Sequence, residues 1–75
     1  MTYREQIIRM LLTQKYTTYA DIKQLTNGQY SVMGKLKKEF GNKICEFEEP
    51  LIIKSGYQKV FYVKPENQKY LARCL

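Results

Sequence analysis

The 75-residue sequence has no histidine and no tryptophan, only two cysteines and two prolines, and no apolar run near the ~20 residues that span a bilayer. Each shortage narrows what the chain can do. Without histidine, and with Asp21 as its only aspartate, the chain lacks the mixed ligand set of the common metal sites. Glu46, Glu48 and Glu49 could be read as a metal or catalytic carboxylate cluster, but neighbouring glutamates more often form a solvated or partner-facing patch. No nucleophile–base constellation, phosphate loop or glycine fingerprint is present. The expectation is therefore a non-enzymatic protein with no metal and no cofactor. Cys45 and Cys74 are too few for a disulfide scaffold and read most simply as buried small hydrophobes. Arg4, Glu5 and Arg9 interrupt any signal-peptide pattern. No membrane association and a cytoplasmic location are expected.

What is abundant is positive charge and tyrosine. Thirteen Lys and Arg stand against seven Asp and Glu, a net charge of +6, which predisposes so small a chain toward polyanions. The charge is unevenly distributed. Lys35, Lys37, Lys38 and Lys43 are offset only by Glu39, the Glu46–Glu49 stretch reverses sign, and beyond it Lys54, Lys59, Lys64, Lys69 and Arg73 face Glu66 alone. A hydrophobic content of 44% can offset chain entropy, which argues against disorder, and the length suits one domain.

Local signals order the chain into elements. Thr2 with Glu5 is a capping box, and Tyr3, Ile7, Ile8, Leu11 and Leu12 recur at helical spacing, which predicts a helix over residues 3–15. Thr17 and Thr18 suit a short extended piece. Thr18 with Asp21 repeats the capping box, giving a second helix over Tyr19–Thr26 with Ala20, Ile22 and Leu25 inward, stopped by Asn27-Gly28. A third helix over 29–40 turns Val32, Met33, Leu36 and Phe40 to the core, and Tyr30, Ser31, Gly34, Lys35, Lys37 and Lys38 to the flanks and opposite side. The pattern then becomes strand-like over 44–47, 51–54 and 58–63. Ser55-Gly56 makes a hairpin, and Pro50 predicts a break or bulge at Glu49-Pro50. Pro65 at a first helical position opens a last helix over 65–75, with Tyr70, Leu71, Cys74 and Leu75 apolar. Tyr3, Phe40, Phe47 and Tyr70 are expected in the core, and Tyr16, Tyr30 and Tyr57 exposed.

This order resembles the winged helix-turn-helix family, an α+β fold with a three-helix core, a β-hairpin wing and a short C-terminal helix. The resemblance rests on Asp21-Ile22-Lys23-Gln24-Leu25, on Asn27-Gly28 for the turn, and on Ser31-Val32-x-x-x-Leu36 for a recognition helix. It covers nearly the whole chain as a single domain, with the helix-turn-helix at 19–40 and the wing at 44–63. Ile22 to Val32 is ten residues, one fewer than the resemblance implies, so a tightened turn or a shifted register is expected. The resemblance implies that the third helix enters a DNA major groove with the wing along the backbone.

The candidate contacts are then Tyr30, Ser31, Gly34, Lys35, Lys37 and Lys38 on the helix, and Lys54, Ser55, Gly56, Tyr57 and Lys59 on the wing. Lys35 and Lys38 serve phosphates or guanines, Gly34 permits close backbone approach, and lysines beside Tyr57 grip a backbone or stack on a base. The plainer alternatives are a solvated lysine face and lysines that guard an edge hairpin from aggregation. Duplex DNA is expected ahead of single-stranded DNA. No arginine occupies the third helix, although bidentate arginine–guanine pairing is the commonest specific contact. That leaves open an adaptor that binds a larger replication or transcription protein through Glu46, Glu48 and Glu49, and a homodimer joined through the first or last helix. A regulator or DNA-handling factor of a phage or mobile element fits the composition.

Overall fold

The computed structural model describes residues 2–52 and 55–75. Its elements follow one another as α1 (Tyr3–Thr13), β1 (Thr17–Thr18), α2 (Tyr19–Thr26), α3 (Ser31–Phe40), a 3₁₀ turn (Gly41–Lys43), β2 (Cys45–Pro50), β3 (Tyr57–Tyr62) and α4 (Pro65–Arg73). The class is α+β, with four helices and a three-stranded antiparallel sheet in the order β1-β3-β2.

Helix starts follow from capping chemistry. Thr2 Oγ1 accepts from the Glu5 N–H at 3.2 Å. At α2 the box is reciprocal, with Asp21 N–H donating to Thr18 Oγ1 and Thr18 N–H donating to the Asp21 carboxylate, each at 3.1 Å. Two of the orphan donors of that helix end are thereby satisfied. α1 stops at Thr13, short of the expected Lys15. The Thr13 hydroxyl bonds back to the carbonyl of Arg9 at 2.9 Å, and Gln14 is already extended, at φ −100° and ψ 140°.

The turn between α2 and α3 is tight. Asn27 (φ 52°) and Gly28 (φ 86°) both adopt the left-handed region, where Asn and Gly are tolerated best. Gly28 N–H donates to Lys23 O at 2.9 Å. Gln29 and Tyr30 are used up in the turn, so α3 begins at Ser31 rather than Gln29.

The hairpin corrects a third expectation. β2 is unbroken through Pro50, and it pairs with β3 in one register from Cys45↔Tyr62 to Pro50↔Tyr57. Leu51 N–H donates to Gly56 O at 3.1 Å, and hydrogen-bonded and open pairs alternate along an antiparallel ladder. Pro50↔Tyr57 is thus an open pair, and the proline nitrogen faces the free edge of β2, where a missing donor costs nothing. Leu51 and Ile52 lie outside any strand. The rest of the expected 51–54 strand falls beyond the described residues. Gly56 completes the turn at φ 123°.

One core joins all four helices and β3. Ile7, Ile8, Leu11, Ile22, Met33, Leu36, Phe40, Phe61 and Leu71 are each at most 4% exposed. Leu25 and Val32 pack half-buried against them. Ala20 is exposed, contrary to its expected inward place, because Tyr19 takes the core-facing position beside it. Phe47 (39%) and Tyr70 (47%) are also largely exposed rather than core, and Tyr3 is half-buried. Cys45 and Cys74 are free thiols of intermediate exposure, not fully buried.

The outer face of the sheet carries its own small aromatic cover. Tyr16, Phe47 and Tyr62 meet pairwise with ring centroids 5.7–6.0 Å apart. Phe47 lies opposite Val60 in the register, and Val60 is 1% exposed. The exposed position of Phe47 thus has a packing function: it shields Val60 on the face turned away from the helices.

Candidate nucleic-acid interface

α3 positions the first set of candidate residues. Ser31, Gly34, Lys35 and Lys38 are all exposed, and their spacing of i, i+3, i+4 and i+7 places them in one stripe along the helix. The opposite side is fixed by burial of Met33, Leu36 and Phe40. Among the described residues neither Lys35 nor Lys38 makes an ion pair. The stripe therefore presents two unneutralised ammonium groups, a hydroxyl and a bare stretch of backbone.

Gly34 is informative on its own. A Cβ at this position meets nothing within 4 Å, so packing inside the fold does not call for glycine. A glycine within a helix costs about 1 kcal/mol relative to alanine.

Lys37 is separate from the stripe. It is half-buried, pairs with the Glu46 carboxylate, and its ammonium lies 6.0 Å from the centre of the Phe61 ring. Glu46 also meets Lys59 of β3 at 3.9 Å. The acidic stretch that follows the lysines in sequence is therefore drawn inward at Glu46, between a helix lysine and a hairpin lysine. Glu49 accepts from the Gln58 amide at 3.3 Å. Glu48 stands opposite Lys59 in the register, a favourable cross-strand arrangement of charges. What reads as a continuous acidic patch is three carboxylates, each facing a cation or donor of the same small body.

Glu39, the remaining acid of α3, is bound by Arg4 of α1, with Arg4 Nε 3.3 Å from Glu39 Oε1 and a second contact from the guanidinium fork. The same fork donates to Cys74 O at 3.0 Å. The hydrogen bond from Arg4 holds the Glu39 carboxyl below the usual range, and the same bond raises the Arg4 guanidinium.

Tyr30, expected to be exposed at the start of the recognition-like helix, instead caps α3 with its backbone and is half-buried. Its ring stacks on Tyr19, with centroids 4.7 Å apart and planes 8° from parallel, and Tyr19 in turn meets Phe61 at 6.3 Å. Ser55, Gly56, Tyr57 and Lys59 are exposed in the hairpin, whereas Lys54 lies outside the described residues. The structure brings Tyr30 together with Tyr57 and Lys59. They line one groove of about 460 Å³ between α2 and the hairpin, along with Tyr19 and Lys23. Sequence reasoning missed Tyr19 and Lys23. Their only signal was position: both belong to the helix expected to support the recognition helix.

Among the described residues, no group of three or more His, Cys, Asp or Glu is placed to hold a metal ion, and no helix is long and apolar enough to cross a membrane. Comparison with models of protein families, with curated proteins and with solved structures gave no match.

Proposed function

We propose that the chain is a small DNA-binding winged-helix module, with α2 and α3 as its helix-turn-helix and the β2–β3 hairpin as its wing. The observation that carries this reading is the α3 stripe of Ser31, Gly34, Lys35 and Lys38, exposed and free of carboxylates. α3 enters the major groove, where Lys35 and Lys38 meet phosphates or guanine edges and Gly34 lets the backbone approach. Lys59 and Ser55 of the wing meet the flanking backbone. The tight Asn27-Gly28 turn and the pairing of β1 with β3 also support this assignment, because they set α3 directly after α2 and join the hairpin to the helical part of the chain. With no arginine in α3 the module binds mainly through phosphates, and its affinity is strongly salt-dependent.

The experiment is a salt titration of binding to duplex and single-stranded DNA by the purified chain. Lys35→Ala and Lys38→Ala each reduce affinity and flatten the log K–log[salt] slope by about 0.9 on duplex. Lys37→Ala leaves the slope unchanged. No binding at low salt overturns the reading.

A second reading, an adaptor for a larger replication or transcription protein, is favoured by one observation. The Tyr16–Phe47–Tyr62 cluster presents aromatic surface on the sheet face away from α3. It is checked by whether Phe47→Ser abolishes capture of such a partner while DNA binding persists.

A further inference from the structure

The groove between α2 and the hairpin shares Lys59 with the wing, but none of the α3 stripe lines it, and it adds aromatic rings that the stripe lacks. One wall is the stacked pair Tyr19 and Tyr30 with Lys23; the other is Leu51, Tyr57 and Lys59. The remaining lining residues are Ala20 and Gln58, so no carboxylate among the described residues lines it. It is an open groove of about 460 Å³ rather than an enclosed cavity, a form that suits a base still attached to its strand. The stack fixes the Tyr30 ring, and a fixed ring loses little freedom when another planar group joins it. Tyr57, 69% exposed, supplies a second aromatic surface that the fold itself does not cover. Lys23 makes no ion pair among the described residues, and Lys59 meets Glu46 only at 3.9 Å. Ammonium groups beside aromatic rings form the recurring arrangement for an unpaired nucleotide, with the base stacked and the phosphate neutralised.

We infer that this groove binds one unpaired nucleobase of a DNA strand, so that the protein prefers a duplex with a single-stranded extension to a blunt duplex. The inference rests on the DNA-binding reading above and adds a second site to it. Lys23 and Lys59 take the phosphates on either side of the base, and Tyr57 closes over it.

The test compares affinities of the full chain for a blunt duplex, for the same duplex with a short thymidine extension at either end, and for free thymidine monophosphate. The expected result is binding about five- to tenfold tighter for one extended duplex than for the blunt one, at the lower end of stacking on a single aromatic group. Tyr57→Ala removes this preference, bringing the extended and blunt duplexes to equal affinity, and Tyr57→Phe retains it. Tyr57 is exposed, so its replacement does not threaten the fold. Equal affinity for blunt and extended duplexes overturns the inference while leaving the DNA-binding reading intact. Failure to bind any DNA overturns both. A preference that survives Tyr57→Ala, or binding of the free nucleotide as tight as that of the extension, also overturns it.

Discussion

Tyr19 and Tyr30 lie face to face, 4.7 Å apart and 8° from parallel, across the turn that joins α2 to α3. The first residue of one helix and the cap of the next are thereby held at a fixed separation, although eleven positions apart in the chain. Tyr30 has no side-chain cap to offer α3; its ring does the positioning instead. Tyr30→Ala should therefore lower stability by about 1–3 kcal/mol, while Tyr30→Phe, which keeps the stack, should cost far less. Urea denaturation of the two variants decides this. Equal losses would place the role in the hydroxyl.

Gly34 separates stability from binding. Gly34→Ala should raise stability by about 0.5–1 kcal/mol, because the site is open and helical. The same methyl should weaken duplex binding if the helix backbone approaches DNA closely. Thermal unfolding and DNA affinity measured together should move in opposite directions. If both rise, the glycine has no part in contact.

Acid should loosen the attachment of α1 to α3. The folded-state Glu39 carboxyl titrates below its usual value because Arg4 donates to it. Its contribution is therefore fully present above the unfolded value of about 4.3 and is lost as pH falls through the lower folded value. The raised Arg4 guanidinium acts far above the physiological range. The pair is solvent-exposed, so the effect is small and should shrink with salt. Glu39→Gln should flatten the acid limb of the stability–pH curve below about pH 5 at low ionic strength. An unchanged limb would show that the pair is not maintained in solution.

Thr18 serves two elements. Its hydroxyl caps α2 and its backbone pairs with Val60. Thr18→Ala should cost about 1 kcal/mol, lowering Tm by roughly 4–8 °C in a domain this small. Thr18→Ser should restore most of it. Differential scanning calorimetry is the measurement, and a shift of less than a degree for the alanine variant would contradict the capping account.

The parts of the fold legible in sequence were those with local causes. Thr18 with Asp21, Asn27 with Gly28, and Pro65 act within one turn of chain, and each marked an element boundary correctly. The i, i+4 recurrence of Leu36 and Phe40 found the buried face of α3, and with it the exposed stripe. What stayed hidden was set by partners distant in sequence. Phe47 reads as core because it is aromatic in a strand, yet its side of the strand depends on the phase of the β2–β3 register. That same phase decides that Pro50 faces the open edge and leaves the strand unbroken. Lys37 cannot be told from Lys35 and Lys38 by sequence, since only the return of β2 brings Glu46 to it. The groove needed both the turn and the hairpin in place before Tyr19, Tyr30 and Tyr57 could share it.

The two-residue strand β1 has a mechanical consequence. Thr17 and Thr18 grip β3 only at Phe61 and Val60, the two residues of that strand that are buried. The hairpin is thus a cantilever, rooted in the core at one end and overhanging toward Tyr57 at the other. Beyond that root the hairpin is held by the β2–β3 ladder and by Glu46, which bridges Lys59 of the hairpin to Lys37 of α3. A load on the overhang therefore reaches α3 through Glu46, so that the beam and the helix beside it are coupled rather than independent.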